Sequence, residues 1–160
     1  MNVFKPEDGQ FLHALKDPSV FLAGSIEMGK ADDWQTKLAN EFGQWDVVFL
    51  NPRRAGWDSS WEQRQSAINF NYQVNWEMNH LEAADIIFMY FAPDTKSPIS
   101  LLELGAYGAS GKMIVCCPDE FWRKGNVEVF CTRNNIPLFN TMEDSIGALK
   151  TKLHMTRKLK

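Results

Sequence analysis

The stretch "ADIIFMYF", residues 84–91, decides the class of fold that this sequence predicts. Six apolar residues follow one another in it without polar alternation. Such a run indicates a strand buried on both faces, as in a parallel sheet covered by helices. Four further short apolar runs occur in the chain: "SVFLAG" (19–24), "WDVVFLNP" (45–52), "KMIVCC" (112–117) and "IPLF" (136–139). Together these runs predict about five parallel strands.

The longer amphipathic stretches between these runs predict the helices. Within 32–44, Trp34, Leu38 and Phe42 recur at every fourth position, which is the spacing of one helix face. Further helices are expected at 98–111, at 120–135 (as a helix or a mixed loop) and at 141–153. Strands that alternate with helices predict an α/β fold, a doubly wound parallel sheet with helices on both faces, in a single domain spanning residues 1–160.

The segment "AINFNYQVNW", residues 67–76, carries two conflicting patterns. Its apolar and polar residues alternate, as in a strand, whereas Val74, Met78 and Leu81 have helical spacing. A right-handed crossover between parallel strands needs a helix in this part of the chain. We therefore expect a loop that turns into a helix near Phe70.

Composition narrows the classes of function. A net charge of −3 and a pI near 5.6 argue against a nucleic-acid groove, which needs a basic face. No apolar run reaches the length of about 20 residues that crosses a bilayer, and "MNVFKPEDGQ" lacks the apolar core of a signal peptide. The adjacent Cys116 and Cys117 cannot bridge to each other and show no C-x-x-C spacing, which predicts reduced, buried thiols in a cytoplasmic protein. The three histidines lack metal-ligand spacing, so neither a metal nor a cofactor is expected.

Small and polar residues follow three of the predicted strands. In a doubly wound sheet, ligands bind beyond the carboxyl ends of the strands, so these residues are expected to meet in one crevice. The candidates are Gly24 and Ser25 after the first run, Asn51, Arg53 and Arg54 after the second, and Asp94, Thr95 and Ser97 after the third. Ser97 followed by Pro98 also predicts a helix start, with the Ser hydroxyl accepting the first backbone N–H groups.

The stretch "SPISLLELG", residues 97–105, places Glu103 among leucines, which are expected to hold it in a site with little water. A desolvated carboxylate beside a crevice serves as an acid, a base or a nucleophile. Retaining glycosyl transfer uses such a nucleophile together with a second carboxyl group that moves protons. Glu77 and Asp85 are the candidates for the second group. Asp85 also fits a structural role at a strand entrance, and Glu77 fits an ordinary exposed position on a helix.

The blocks "VFLAGSIEMG", "NPRR", "WEMNHLEAADIIFMYF" and "SPISLLELG" follow one another between about Val20 and Val115. In this order they resemble the nucleoside 2-deoxyribosyltransferase family. The resemblance implies a flavodoxin-like fold and cleavage of the N-glycosidic bond of 2′-deoxynucleosides through a covalent deoxyribosyl-glutamate, followed by transfer of the sugar to another base. It places the family's nucleophile on Glu103 and its acid/base carboxylate on Glu77, where the family usually has Asp. It also implies a homo-oligomer of two or more subunits.

The same resemblance bears on the substrate. The family's ligand to a sugar hydroxyl falls on Ser97, and the related 2′-deoxynucleoside 5′-monophosphate N-glycosidases have a Ser there that contacts the phosphate. Those hydrolases carry Arg in the first loop, where this chain has Glu27, an acid that would repel a phosphate. We therefore expect an uncharged nucleoside, with Trp57 offering a stacking face for the base. The expected substrate-binding residues are Gly24, Ser25, Asn51, Arg53, Arg54, Trp57 and Ser97.

Three functions remain open at this point. The first is base exchange, with a deoxynucleoside or deoxynucleotide and a free nucleobase as the small-molecule partners. The second is hydrolysis of deoxynucleosides or of their 5′-monophosphates on the same site, with water as the acceptor. The third is a non-catalytic nucleotide-binding module, against which the presence of both Glu77 and Glu103 argues. No nucleic acid polymer and no membrane are expected as partners.

Overall fold

A sheet of six parallel strands forms the centre of the computed structural model, which describes residues 1–9, 16–26, 32–54, 56 and 60–157. The strands are β1 (Asn2–Phe4), β2 (Ser19–Gly24), β3 (Val48–Leu50), β4 (Ile86–Tyr90), β5 (Met113–Cys116) and β6 (Leu138–Phe139). Their order in the sheet is β1-β3-β2-β4-β5-β6, and every neighbouring pair is parallel. From β2 onward this is the expected doubly wound, flavodoxin-like arrangement.

Five α-helices cover the two faces of the sheet. They are α1 (Trp34–Asn40), α2 (Ile68–Ala83), α3 (Pro98–Tyr107), α4 (Lys124–Arg133) and α5 (Met142–Arg157). One core cluster joins the sheet to Trp76, Leu104 and Val127, so that α2, α3 and α4 lie on one face. The other cluster contains Trp34 and Leu149, which places α1 and α5 on the opposite face. The five apolar runs of the sequence are β2 to β6, and the predicted helices between them are confirmed.

The N-terminal strand β1 is an element that the sequence did not predict. It has three residues, two of them exposed, and it pairs with β3 in the register Asn2 to Val48. A strand of three residues at a sheet edge is too short to show an apolar run in the sequence. Its extended conformation is stabilised by pairing with the neighbouring strand. A 3₁₀ turn follows at Pro6–Asp8.

Helix α2 resolves the conflicting pattern of the segment 67–76. The helix begins at Ile68, close to the expected start, but its buried side differs from the predicted apolar stripe. Met78 is 50% exposed, whereas Gln73 and His80 are buried beside Trp76. The polar side chains tolerate burial because they have hydrogen-bond partners, such as the Trp76 carbonyl for the ring of His80 at 2.7 Å.

The strand order reverses between β2 and β4, and the loops after these strands therefore diverge to leave a crevice. Gly24 ends β2 with φ +129°, and a Cβ atom there would lie 2.1 Å from the carbonyl oxygen of Tyr90. Only glycine allows this close approach of the two backbones. The next residue, Ser25, donates its backbone N–H to the same carbonyl at 2.9 Å.

The cysteines are buried free thiols, as expected. Burial raises the pKa of Cys117 to about 12 and the pKa of Cys131 to about 11, which keeps both groups protonated and unreactive at neutral pH. Among the residues that the structure describes, no helix has the length and apolar character needed to cross a membrane.

Candidate active site

Two carboxyl groups from neighbouring helices form the chemical centre of the candidate site. Glu77 on α2 and Glu103 on α3 are both partly buried on the same side of the sheet. Burial raises the pKa of Glu103 from 4.5 to about 8, and the negative charge of Glu77 adds to this rise. Burial also raises the pKa of Glu77 to about 7, against the lowering effect of a hydrogen bond from Gln73. The two groups are therefore coupled electrostatically, since the charge of Glu77 raises the pKa of Glu103.

The sequence of α3 explains why Glu103 faces inward. Ser100 and Leu104 are buried, and Glu103 and Tyr107 lie partly buried on the same helical stripe. Leu102 points away and is 68% exposed, whereas Leu104 is buried and Leu101 is partly buried against the core.

A cluster of three hydroxyl groups joins the carboxyl ends of β2 and β4. The Ser25 Oγ lies 2.7 Å from the Thr95 Oγ1 and 2.6 Å from the Ser97 Oγ, and the last two atoms are 2.8 Å apart. The backbone N–H of Ala92 donates to the Ser25 Oγ at 2.9 Å. The three side chains are buried, so the cluster holds the two crevice loops together at the point where the strand order reverses.

Ser97 differs from its expected role at the helix start. Its backbone is left-handed, with φ 45° and ψ 51°, and its side chain makes no capping hydrogen bond. The hydroxyl turns into the cluster with Ser25 and Thr95 instead, while the Ser97 carbonyl accepts from Leu101 N–H at 3.0 Å. The prediction of a side-chain cap was wrong because a tertiary contact competes for the same hydroxyl.

The loop after β3 is held by its own polar side chains. The Asn51 Oδ1 accepts the backbone N–H of Arg53 at 2.9 Å, and the Arg53 Nη1 donates to the Asp32 carbonyl at 3.0 Å. Arg54 pairs with Glu7, with 3.7 Å between Nε and Oε1. Both arginines therefore have protein partners, but the Nη1 of Arg54 is buried without a hydrogen-bond partner among the described residues.

Gln73 is a site residue that the sequence analysis missed. Its Nε2 donates to the Glu77 Oε1 at 2.8 Å and to the Pro52 carbonyl at 2.9 Å. The amide thus ties the carboxyl group of Glu77 to the loop after β3. A glutamine four positions before the predicted acid was a signal available in the sequence, because residues i and i+4 share one helix face.

Asp85 does not join the candidate pair. It precedes β4 and accepts hydrogen bonds from the backbone N–H of Ser19 at 2.8 Å and from its hydroxyl at 2.9 Å. Ser19 begins β2, so both residues lie at the amino ends of their strands, on the opposite edge of the sheet from the crevice. Asp85 therefore fits the structural alternative. Glu27 and Trp57 fall outside the described residues.

A cleft of about 750 Å³ opens on the other face of the sheet. It lies between α1, α5 and the loop after β4, and Trp34, Tyr90 and Thr95 are among its lining residues. Through Thr95 it borders the hydroxyl cluster, but it does not include the two glutamates. In the part of the chain that the structure describes, no three His, Cys, Asp or Glu side chains group in a way that could hold a metal ion.

The comparisons with known proteins identify the family of the chain. A family model described as "Nucleoside 2-deoxyribosyltransferase like" matches residues 17–121, which is more than half of the chain. This chain belongs to the nucleoside 2-deoxyribosyltransferase-like family. The family is one of nucleoside deoxyribosyltransferase-like enzymes with nucleoside substrates. The matched residues include both glutamates and the hydroxyl cluster, whereas β1 and α5 lie outside them.

A solved structure supports the fold assignment. The crystal structure of a conserved protein from Enterococcus faecalis V583 is similar to this chain with a TM-score of 0.62. The similarity covers 85% of this chain and 99% of that one at 14% sequence identity, so it shows a shared fold alone. No curated protein matches the chain.

Proposed function

We propose that this member of the nucleoside 2-deoxyribosyltransferase-like family cleaves the N-glycosidic bond of 2′-deoxynucleosides and transfers the sugar to another base. The observation that carries the proposal is the pair of partly buried carboxyl groups, Glu77 and Glu103, whose raised pKa values leave one proton between them. Retaining glycosyl transfer needs such a pair, with one group ionised and the other protonated.

At neutral pH Glu103 holds the proton, because its pKa of about 8 exceeds the value of about 7 at Glu77. The first step therefore begins with transfer of this proton from Glu103 to Glu77, after which the ionised Glu103 attacks C1′ on the face opposite the base. A C1′–oxygen bond forms, the C1′–nitrogen bond breaks, and its electron pair moves to the base, which takes a proton from Glu77. In the second step, the carboxylate of Glu77 removes a proton from the acceptor base, whose nitrogen attacks C1′ and releases Glu103. Two displacements at the same carbon retain the configuration.

The other crevice residues are assigned to binding. We assign Gly24 and Ser25 to the binding of the nucleoside, Ser97 to the sugar, and Asn51, Arg53 and Trp57 to the base. An uncharged nucleoside is favoured over a 5′-monophosphate because the Glu7 carboxylate lies 3.7 Å from the Arg54 Nε and would repel a phosphate there, even though the Arg54 Nη1 has no hydrogen-bond partner among the described residues. A phosphate at this loop would have to compete with that carboxylate.

The surroundings of the site support an assembly of several copies in the cytoplasm. Ile99 and Leu102 on α3 and Ile68 on α2 are exposed apolar side chains of the two helices that carry the glutamates. Such side chains favour a contact with a second copy of the chain. The buried free thiols suit a reducing compartment.

The test is a product assay with 2′-deoxynucleosides and their 5′-monophosphates, each with and without a second free base. A new deoxynucleoside that forms only with the acceptor base is the expected result. Free base without exchange would assign the hydrolase, and no cleavage of any substrate would overturn the proposal in favour of a binding module. Intact-mass measurement after a denaturing quench should show a deoxyribosyl adduct, which Glu103→Gln removes and the exposed control Glu82→Gln on α2 keeps.

A further inference from the structure

Gln73 occupies an unusual position between the predicted acid and the binding loop. The residue is 3% exposed, and its Nε2 donates to the Pro52 carbonyl and to the Glu77 Oε1. A backbone carbonyl can only accept a hydrogen bond, so the contact with Pro52 determines which end of the amide is nitrogen. The amide oxygen therefore points away from both partners.

That oxygen is buried and has no hydrogen-bond partner among the described residues. The oxygen and nitrogen of an amide are about 2.3 Å apart, so the Gln73 Oε1 lies within about 5 Å of the Glu77 Oε1. A buried acceptor without a partner destabilises the empty protein, so a ligand donor that reached this oxygen would form a hydrogen bond that the empty site lacks. On the proposed function, Glu77 delivers its proton to the base, so the nearest ligand group is the base itself.

We propose that Gln73 positions Glu77 through its amide nitrogen and recognises an amino group of the base through its amide oxygen. The inference rests on the proposed function and names the substrate class within it. Bases with an exocyclic amino group beside the nitrogen that Glu77 protonates complete the hydrogen bonding of Gln73. A base with an oxo group at that position would place its oxygen against the amide oxygen of Gln73. Both atoms are hydrogen-bond acceptors, so such a base binds less well.

The charged groups around Glu77 determine how its pKa responds to a substitution at Gln73. Glu103 on α3 is the carboxyl group whose pKa depends on Glu77. From the loop after β3 come Arg53, which donates to a backbone carbonyl, and Arg54, which is paired with Glu7 of the N-terminal segment. Of these contacts, the amide of Gln73 is the hydrogen-bond donor that stabilises ionised Glu77.

The experiment compares the intact protein with Gln73→Met, which keeps the length and apolar volume of the side chain but removes both hydrogen-bonding groups. The substrates are two matched pairs, deoxyadenosine with deoxyinosine and deoxycytidine with deoxyuridine. The unchanged protein should favour the amino member of the pair that it cleaves by about tenfold in kcat/KM, and Gln73→Met should reduce the ratio to about one. An unchanged ratio, or a preference for the oxo base, would overturn the recognition role.

The pH dependence of kcat/KM tests the positioning role. Loss of the donor raises the pKa of Glu77, so the midpoint between the two limbs of the profile should move to higher pH by about 0.5–1 unit in Gln73→Met. A lower rate with an unmoved midpoint would mean that Gln73 supports the fold alone. Gln63→Leu, an exposed change, is the matched control, and Gln73→Leu is the second variant if Gln73→Met does not fold. Absence of any cleavage by the unchanged protein would refute the proposed function itself.

Discussion

Replacing Glu103 with Gln should stabilise the folded protein at alkaline pH while abolishing turnover. The pKa of Glu103 is raised from 4.5 to about 8, so the folded state binds a proton that the unfolded state has lost. The free energy of unfolding therefore falls as the pH rises from 4.5 towards 8. At about 1.4 kcal/mol per pH unit, the cost of ionising Glu103 has a ceiling of about 4 kcal/mol at about pH 8.

The expected gain is smaller than this ceiling, because Glu103 is partly exposed and water screens its charge. We expect Glu103→Gln to gain about 2 kcal/mol at about pH 8, where a gain of that size raises the melting temperature of a domain of this length by about 4–8 °C. At about pH 5 both proteins carry a neutral group at this position, and the difference should be close to zero.

Thermal unfolding followed by circular dichroism at both pH values provides the measurement, with Glu82→Gln as the exposed control. The control should show the same small difference at either pH. If Glu103→Gln gained no more stability at the higher pH than at the lower one, ionising Glu103 would cost the fold nothing. The account of a desolvated nucleophile would then be wrong.

Three further predictions concern the site and the crevice. The profile of kcat/KM against pH should be bell-shaped with limbs near about pH 7 and pH 8, and Glu77→Gln should leave a single ascending limb at lower pH in steady-state assays. Gly24→Ala should lower the free energy of unfolding by about 4 kcal/mol in denaturant titrations, because the added Cβ meets the backbone of β4. The control Gly105→Ala places its Cβ in open space on a helix and should raise the free energy of unfolding by about 0.5–1 kcal/mol. Ser97→Ala should lower the free energy of unfolding by about 1–2 kcal/mol in the same titrations, because it removes a hydrogen-bond partner from two buried hydroxyl groups. The exposed control Ser110→Ala should change the free energy of unfolding by less than about 0.5 kcal/mol.

The fold was largely readable from the sequence because a strand buried on both faces consists mainly of apolar residues. The runs that became β2 to β6 carry that signature in themselves, and the amphipathic stretches between them require a layer on each face. Strand β1 could not be predicted, since three residues at an edge take their conformation from the neighbouring β3. The apolar stripe of Val74 and Met78 misled because the buried side of α2 includes two polar residues. Gln73 bonds to the carbonyl of Pro52 in a separate loop, and His80 bonds to the Trp76 carbonyl one turn earlier in the same helix.

The sequence by itself determined the order of the elements, the carboxyl ends at which small and polar residues collect, and the identity of Glu77 and Glu103 as candidates. These are local properties of residue type and spacing, and the chain carries them before it folds. Only the tertiary structure decided that Asp85 lies at the opposite edge, that Ser97 joins a hydroxyl cluster rather than capping its helix, and that Gln73 holds the acid. The first two depend on contacts between residues far apart in the chain, and the third links an i, i+4 pair to the Pro52 carbonyl of a separate loop. Side-chain hydrogen bonds and carboxyl pKa values are set by what surrounds a group in space.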